Sequence, residues 1–291
     1  MQAYRDALTL MRIPFSVYLM PVFWFALSAL QQVDVSRAIV VFLILHLLVY
    51  PASNGYNSYY DRDEGSIGGL KHPPKANREL MLLVLAFDAL AVLLSVVSSP
   101  LFAVLVALYL LISKAYSYDG IRLKKYPVIS TIVVTFFQGA FTFAMVQVGV
   151  GLELQEVLQM PNAGFAIVST LFLCGSYPLT QIYQHDEDSQ RGDITISLLL
   201  GITGTYIFAA ISLLLGTGVL LWLYYTNDQF QNIIIFLIAT APILYYFTNW
   251  AISATRNKTL VNYENTMHMN KISSVCISLA FITMLVFKAV Y

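Results

Sequence analysis

Three carboxylates fall within four residues at the end of the stretch Asn57-Ser58-Tyr59-Tyr60-Asp61-Arg62-Asp63-Glu64, in a chain that is otherwise mostly apolar. A second acidic stretch, Gln184-His185-Asp186-Glu187-Asp188-Ser189-Gln190-Arg191-Gly192-Asp193, follows a later apolar run. On a helix, Asn57 and Asp61 are four residues apart and Asp61 and Glu64 three apart, so all three can share one face. Gln184 and Asp188 repeat the four-residue spacing, and Asp186 and Asp193 are co-facial if the helix continues. Carboxylates in this pattern suit a hard divalent ion such as Mg²⁺, which takes one or two carboxylates together with phosphate oxygens and water. Two such clusters at corresponding depths of a membrane bundle suggest a shared cage for a divalent metal and a polyphosphate. The plainer alternative is a pair of solvated loops, but an ordinary loop would mix lysine with the acids.

Between the two stretches runs Lys114-Ala115-Tyr116-Ser117-Tyr118-Asp119-Gly120-Ile121-Arg122-Leu123-Lys124-Lys125-Tyr126-Pro127. Its four cations could hold a diphosphate, because Lys and Arg neutralise phosphate oxygens as a leaving group departs. The general excess of basic residues on cytoplasmic connections would also put cations here without any ligand.

The elements that must position these groups are membrane spans. Of the 291 residues, 58% are hydrophobic and 11% charged, against about 25% charged in soluble domains. A span needs about 20 apolar residues, and nine candidates lie at roughly 13–31, 38–54, 79–97, 100–117, 127–149, 164–182, 195–224, 232–252 and 272–290. Gly201, Gly204, Gly216 and Gly218 invite a bend in the seventh. With the N-terminus inside, 14 of the 16 basic residues fall on the cytoplasmic side and only Arg37 and Lys288 on the other, which supports an N-in, C-out topology. Both acidic stretches then face the cytoplasm. The formal net charge of zero points to no nucleic acid and no acidic partner. Cys174 and Cys276 lie in apolar runs without metal-type spacing and read as packing residues.

Together, Asn57-xxx-Asp61 after the second span, Tyr116-Ser117 followed by Arg122-Leu123-Lys124-Lys125-Tyr126-Pro127 after the fourth, and Asp186-Glu187-Asp188-xxx-Gly192-xx-Thr195 after the sixth resemble the UbiA superfamily of intramembrane prenyltransferases. The resemblance covers the chain from about Arg12 to the last span. It implies an all-α polytopic bundle of about nine transmembrane helices around a central cavity, forming one transmembrane prenyltransferase domain over residues 1–291. It also implies Mg²⁺ as cofactor and transfer of a prenyl group from an isoprenyl diphosphate to a lipophilic, usually aromatic, acceptor. The metal would be held by Asp61, Asp63 or Glu64, Asp186 and Asp188. Lys124 and Lys125 would act with Asp61 and Asp188 in catalysis, and Asn57, Arg62, Tyr116, Gln184 and Arg12 would meet the substrate. Two positions depart from the family pattern. Gly65 stands where a carboxylate is usual, leaving Asp63 or Glu64 to supply it, and Gln184 stands where the second motif begins with Asp, leaving Asp186. The implied location is an integral multi-pass protein of the bacterial inner membrane with its active site facing the cytoplasm.

Several polar residues fall inside apolar runs. Asp88, His46, Gln138, Gln147 and Asn249 are read as hydrogen-bonding between helices, and His185 as a loop residue. The competing function is a cation-coupled transporter using Asp88 and the acidic clusters. Against it, the acids gather at one membrane face and no matched pair of broken helices is evident.

Overall fold

The computed structural model describes residues 1–290, and among these nine helices are long and apolar enough to cross a membrane. We number them α1 (Gln2–Ser28), α2 (Val35–Asp61), α3 (Arg78–Ser98), α4 (Pro100–Ser117), α5 (Pro127–Gly149), α6 (Asn162–Gln181), α7 (Ile196–Thr226), α8 (Phe230–Arg256) and α9 (Tyr263–Val290). Among the described residues the sole β-type pairing is an isolated bridge between Ile67 and Leu70. The fold is all-α, as the hydropathy pattern predicts, and large apolar side chains such as Leu93, Leu111, Leu214 and Ile238 stay exposed along the spans, as lipid-facing surface requires.

Local chemistry explains where the spans begin. Side-chain oxygens of Asp34, Asn77, Ser99 and Thr195 accept from the backbone N–H of Arg37, Leu80, Phe102 and Leu198, satisfying donors that the first helical turn leaves without partners. Pro100 and Pro127 follow their caps at a position where a missing N–H costs nothing.

Three expectations about continuity are corrected. The first span starts well before residue 13 and is broken, running as Gln2–Leu10, a 3₁₀ segment Ile13–Leu19 and Met20–Ser28, with Arg12 at φ 50°. The helix carrying Asn57 stops at Asp61, because Arg62 turns left-handed at φ 51°, so Glu64 does not continue the face of Asp61. Likewise the helix His185–Arg191 ends on Gly192 at φ 73°, which takes Asp193 off the helical face of Asp186. In α7 the bend falls at Gly201 alone, whose φ 68° and ψ 175° are glycine-only conformations.

The chain divides into two compact units. The first comprises residues 1–17, 32–125 and 145–153. Its core joins Leu10 and Met11 of α1 to Ala52 and Tyr56 of α2 and to Leu80 and Val84 of α3. Buried His46, in a π-helical turn of α2, bonds through Nδ1 to the Ser16 carbonyl at 3.1 Å, serving a carbonyl of the 3₁₀ break. The second unit comprises residues 18–31, 126–144 and 154–291. Phe25 is its hub, stacked on Phe281 at 4.3 Å and edge-on to Phe143 and Phe165 at 5.3 and 5.5 Å. Lys288 donates to the carbonyls of Ser28 and Leu30 at 3.0 and 2.8 Å, and Arg37 pairs with Asp34 at 3.5 Å. The two cations that break the charge bias thus each serve a helix end. Cys174 and Cys276 are both free thiols.

Gly139, in the π-helical turn of α5, meets α6 backbone to backbone. A Cβ there would come within 2.7 Å of Thr170 Cα and 2.8 Å of its nitrogen. Gly139→Ala is therefore expected to cost about 1–3 kcal/mol and to lower the melting temperature in detergent. Gly218→Ala serves as the control, since nothing lies within 4 Å of its Cβ position.

Candidate active site

The last turn of α2 carries the first polar centre. Asn57 donates from Nδ2 to Asp61 Oδ2 at 2.6 Å and to Ser117 Oγ at the end of α4 at 2.9 Å. With both amide hydrogens engaged, Asn57 Oδ1 is left as an acceptor or ligand oxygen. Asp61 Oδ1 lies 2.8 Å from Lys124 Nζ and 3.8 Å from Arg122 Nη2. The Asp61 and Lys124 side chains retain only 6% and 10% of their exposure, so this is a largely desolvated ion pair whose attraction is strong and whose charges are costly to leave alone. Arg122 sits at φ 45° and also donates to Asp119 at 3.0 Å. A left-handed arginine costs about 1–2 kcal/mol, so the loop after α4 holds its cation at this site against backbone preference.

Beside this centre lies an intramembrane ion pair, Lys114 Nζ to Asp88 Oδ2 at 2.5 Å, linking α4 to α3. Lys114 also sits over the Tyr56 ring at 5.2 Å, and Tyr56, Tyr60 and Tyr118 pack in succession at 4.8 and 5.6 Å. Asp88 therefore joins α3 to α4 through a hydrogen-bonded ion pair, in keeping with the expected bonding between helices, with a lysine as the donor. Arg12 is buried and donates to the Asn54 and Gly68 carbonyls, both at 3.1 Å. It ties the break in α1 to α2 at Asn54 and to the loop after α2 at Gly68.

In the second unit, the acidic helix His185–Arg191 follows α6 after a short turn, with the Asp188 N–H donating to the Gln184 carbonyl at 2.9 Å. Asp188 Oδ2 accepts from Thr195 Oγ1 at 3.3 Å, and Glu187 pairs with Arg191 at 2.9 Å. Asp186 is exposed and Asp193 buried, with the Asp193 N–H bonded to the Asp188 carbonyl at 3.0 Å. His185, expected in a loop, begins this helix, and its Nε2 lies 2.7 Å from Ser197 Oγ. Burial pushes the ring's pKa down, with the Asp186 charge pulling the other way.

Of the residues singled out by sequence, the first unit brings Asn57, Asp61 and Lys124 into direct contact. Asp63 and Glu64 lie in the loop beyond the helix end, Arg62 is exposed at the turn, Lys125 is exposed at the end of a 3₁₀ turn, and Tyr116 is half-buried in the last turn of α4. Ser117 was missed as a contact of Asn57, because the partners are 60 residues apart and no local pattern links them. Ser197 and Thr205 were missed because their contacts, eight residues apart with each other and twelve from Ser197 to His185, match no helical spacing. Among the described residues no three His, Cys, Asp or Glu side chains form a ready-made ligand group. The donors at Asn57 and Asp61 are nevertheless all oxygen, one amide and one carboxylate, which fits Mg²⁺ and not a thiolate- or imidazole-seeking metal.

Fold and site thus define an integral, multi-pass, all-helical membrane protein with a partly buried amide–carboxylate–ammonium centre at a helix end. The chain belongs to the UbiA prenyltransferase family, whose model matches residues 18–272. Solved structures with the same fold include a UbiA homolog from Archaeoglobus fulgidus bound to DMAPP and Mg²⁺, at 16% identity, covering 96% of this chain and 98% of that one with a TM-score of 0.67. The same homolog bound to GPP and Mg²⁺ matches at 16% identity over 96% and 99% of the chains with a TM-score of 0.65. A structure of digeranylgeranylglyceryl phosphate synthase matches at 19% identity over 97% and 98% with a TM-score of 0.61. At these identities the likeness concerns the fold. Comparison with curated proteins gives no match.

Proposed function

We propose that this protein transfers a prenyl group from an isoprenyl diphosphate to a lipophilic or aromatic acceptor within the membrane, with Mg²⁺ as cofactor. The observation that carries the reading is the Asn57–Asp61–Lys124 centre, its ion pair largely desolvated and Arg122 beside it, in a chain of a prenyltransferase family. Its support comes also from the A. fulgidus homolog of the same fold, which binds DMAPP or GPP together with Mg²⁺.

The reaction breaks the bond between the allylic carbon and the diphosphate oxygen, the electron pair leaving with oxygen. The acceptor supplies the new bond and gives up a proton. Lys124 and Arg122 offer cations to the charge growing on the departing oxygens, with Lys125 an exposed cation of the same loop and Arg62 one of the loop after α2. Asn57 orients Asp61 through its 2.6 Å hydrogen bond, leaving the carboxylate and the amide oxygen as metal donors. Asp63 or Glu64, and in the second stretch Asp186 and Asp188, are assigned to the same task by motif order. Mg²⁺, when bound, would supply Lewis-acid neutralisation of the diphosphate. Tyr116 and Gln184 are assigned to substrate, while Arg12 acts at one remove by holding the loop after α2. The charge asymmetry of the connections supports a topology with the N-terminus and the acidic stretches on the cytoplasmic side, and the membrane we assign is a bacterial inner membrane.

The test is diphosphate release by protein in lipid nanodiscs, given Mg²⁺, a panel of prenyl diphosphates and membrane-extracted acceptors, with products read by mass spectrometry. Prenylated product from one pairing is the expected result. Folded protein that releases no diphosphate from any member of the panel, yet moves cations across proteoliposomes, overturns the reading in favour of transport.

A further inference from the structure

The second unit contains a run of hydrogen bonds whose directions can be worked out by counting protons. Thr205 Oγ1 lies 2.8 Å from the Gly201 carbonyl and 3.2 Å from the Ser197 carbonyl. A carbonyl only accepts, so the single hydroxyl proton of Thr205 goes to the backbone. Ser197 Oγ, 3.0 Å from Thr205 Oγ1, must then be the donor in that contact, which uses its only proton. His185 Nε2, 2.7 Å from Ser197 Oγ, is left as the donor to serine, and the ring is held in its Nε2–H form. The run reads His185 to Ser197 to Thr205 to the backbone carbonyls at the break in α7.

This break is what makes the run necessary. Gly201 at φ 68° and ψ 175° interrupts the helical ladder and separates the first turn of α7 from the rest. Ser197 and Thr205 are both 0% exposed, so cutting any link strands a buried polar group. The same short turn is tied to the preceding segment twice more. The Ser197 N–H donates to Gln181 Oε1 at the end of α6 at 3.3 Å, and Thr195 Oγ1 donates to Asp188 Oδ2 at 3.3 Å while capping α7. The acidic helix therefore hangs from residues 195–201 at both its first residue and its central aspartate.

We propose that His185, Ser197 and Thr205 are positioning residues for the second acidic stretch: the relay anchors the acidic helix to the broken start of α7 and so sets where Asp186 and Asp188 are held for diphosphate and its metal. The proposal rests on the prenyl-transfer reading and deepens it.

The experiment compares His185→Ala, His185→Gln, Ser197→Ala and Thr205→Val in the full chain in nanodiscs. Gln places an N–H at the same bond count from the backbone as His Nε2. One readout is Mn²⁺ binding by electron paramagnetic resonance with inorganic pyrophosphate as the anion. Another is hydrogen exchange of residues 185–193, and the third is diphosphate-release kinetics. His185→Ala and Ser197→Ala should raise the Mn²⁺ half-saturation and the KM for prenyl diphosphate by about 10-fold, with a smaller fall in kcat and faster exchange in the acidic helix. His185→Gln should recover most of each effect. If His185→Ala does not fold, Thr205→Val cuts the relay at its far end and should shift the same quantities in the same direction. Wild-type Mn²⁺ binding and KM in folded His185→Ala would overturn the proposal, as would His185→Gln behaving like His185→Ala at unchanged melting temperature. Should the wild type bind Mn²⁺ with pyrophosphate and respond to these substitutions yet prenylate nothing, the relay stands and the prenyl-transfer reading falls. Absence of Mn²⁺ binding in the wild type removes the relay's role.

Discussion

Asp61→Asn is expected to lower the rate of diphosphate release by about 10²–10³-fold while the protein still folds. The substitution keeps the shape of the side chain and removes its charge. Asn57 can still donate to the remaining oxygen, so the 2.6 Å contact that orders the last turn of α2 has a substitute. What disappears is the anionic oxygen that faces Lys124 and that the proposed reaction uses as a hard metal donor. The loss should appear in kcat more than in KM, because neutralisation of the departing diphosphate is needed most in the transition state. Diphosphate-release kinetics across a Mg²⁺ titration check this. A folded Asp61→Asn protein with wild-type turnover would exclude Asp61 from the reaction.

The second large effect is on stability as well as rate. Lys124→Met leaves the Asp61 carboxylate in a site where its side chain keeps 6% exposure, with Arg122 3.8 Å away as the remaining cation. Removing one partner of a buried pair costs about 3–5 kcal/mol, largely because the other charge is left uncompensated. The double variant Asp61→Asn with Lys124→Met removes both charges together and should regain most of that loss in thermal unfolding. It should remain inactive. A recovered melting temperature without recovered turnover separates the pair's part in holding the loop after α4 from its part in the chemistry. If the single and double variants melt alike, the two side chains are not coupled in the folded protein.

Particular residues mark how far the sequence could be read. The nine spans are legible because each is long and apolar enough to cross a membrane, and the caps Asn77, Ser99 and Thr195 stand where helix starts are expected. The spacing of Asn57 and Asp61 is equally local, and the structure shows the contact that one helical turn predicts. The error at Glu64 arose because Arg62 adopts a left-handed conformation that arginine does not advertise, whereas Gly192, which ends the acidic helix in the same way, is a residue type that does. His185 looked like loop because its partner, Ser197, is twelve residues on and past the helix end at Gly192.

By itself the sequence determined the class of solvent, the number of spans, the family and the residue types available for chemistry, since these depend on composition and on neighbours within a turn or two. Only the tertiary structure decided which cation meets Asp61, that Asp88 is matched by Lys114, that Arg12 pins a loop, and that the acidic helix hangs from a break at Gly201. Such pairings join residues tens of positions apart, and they are set by which helices pack together and by the cost of leaving a charge or a polar atom buried without a partner.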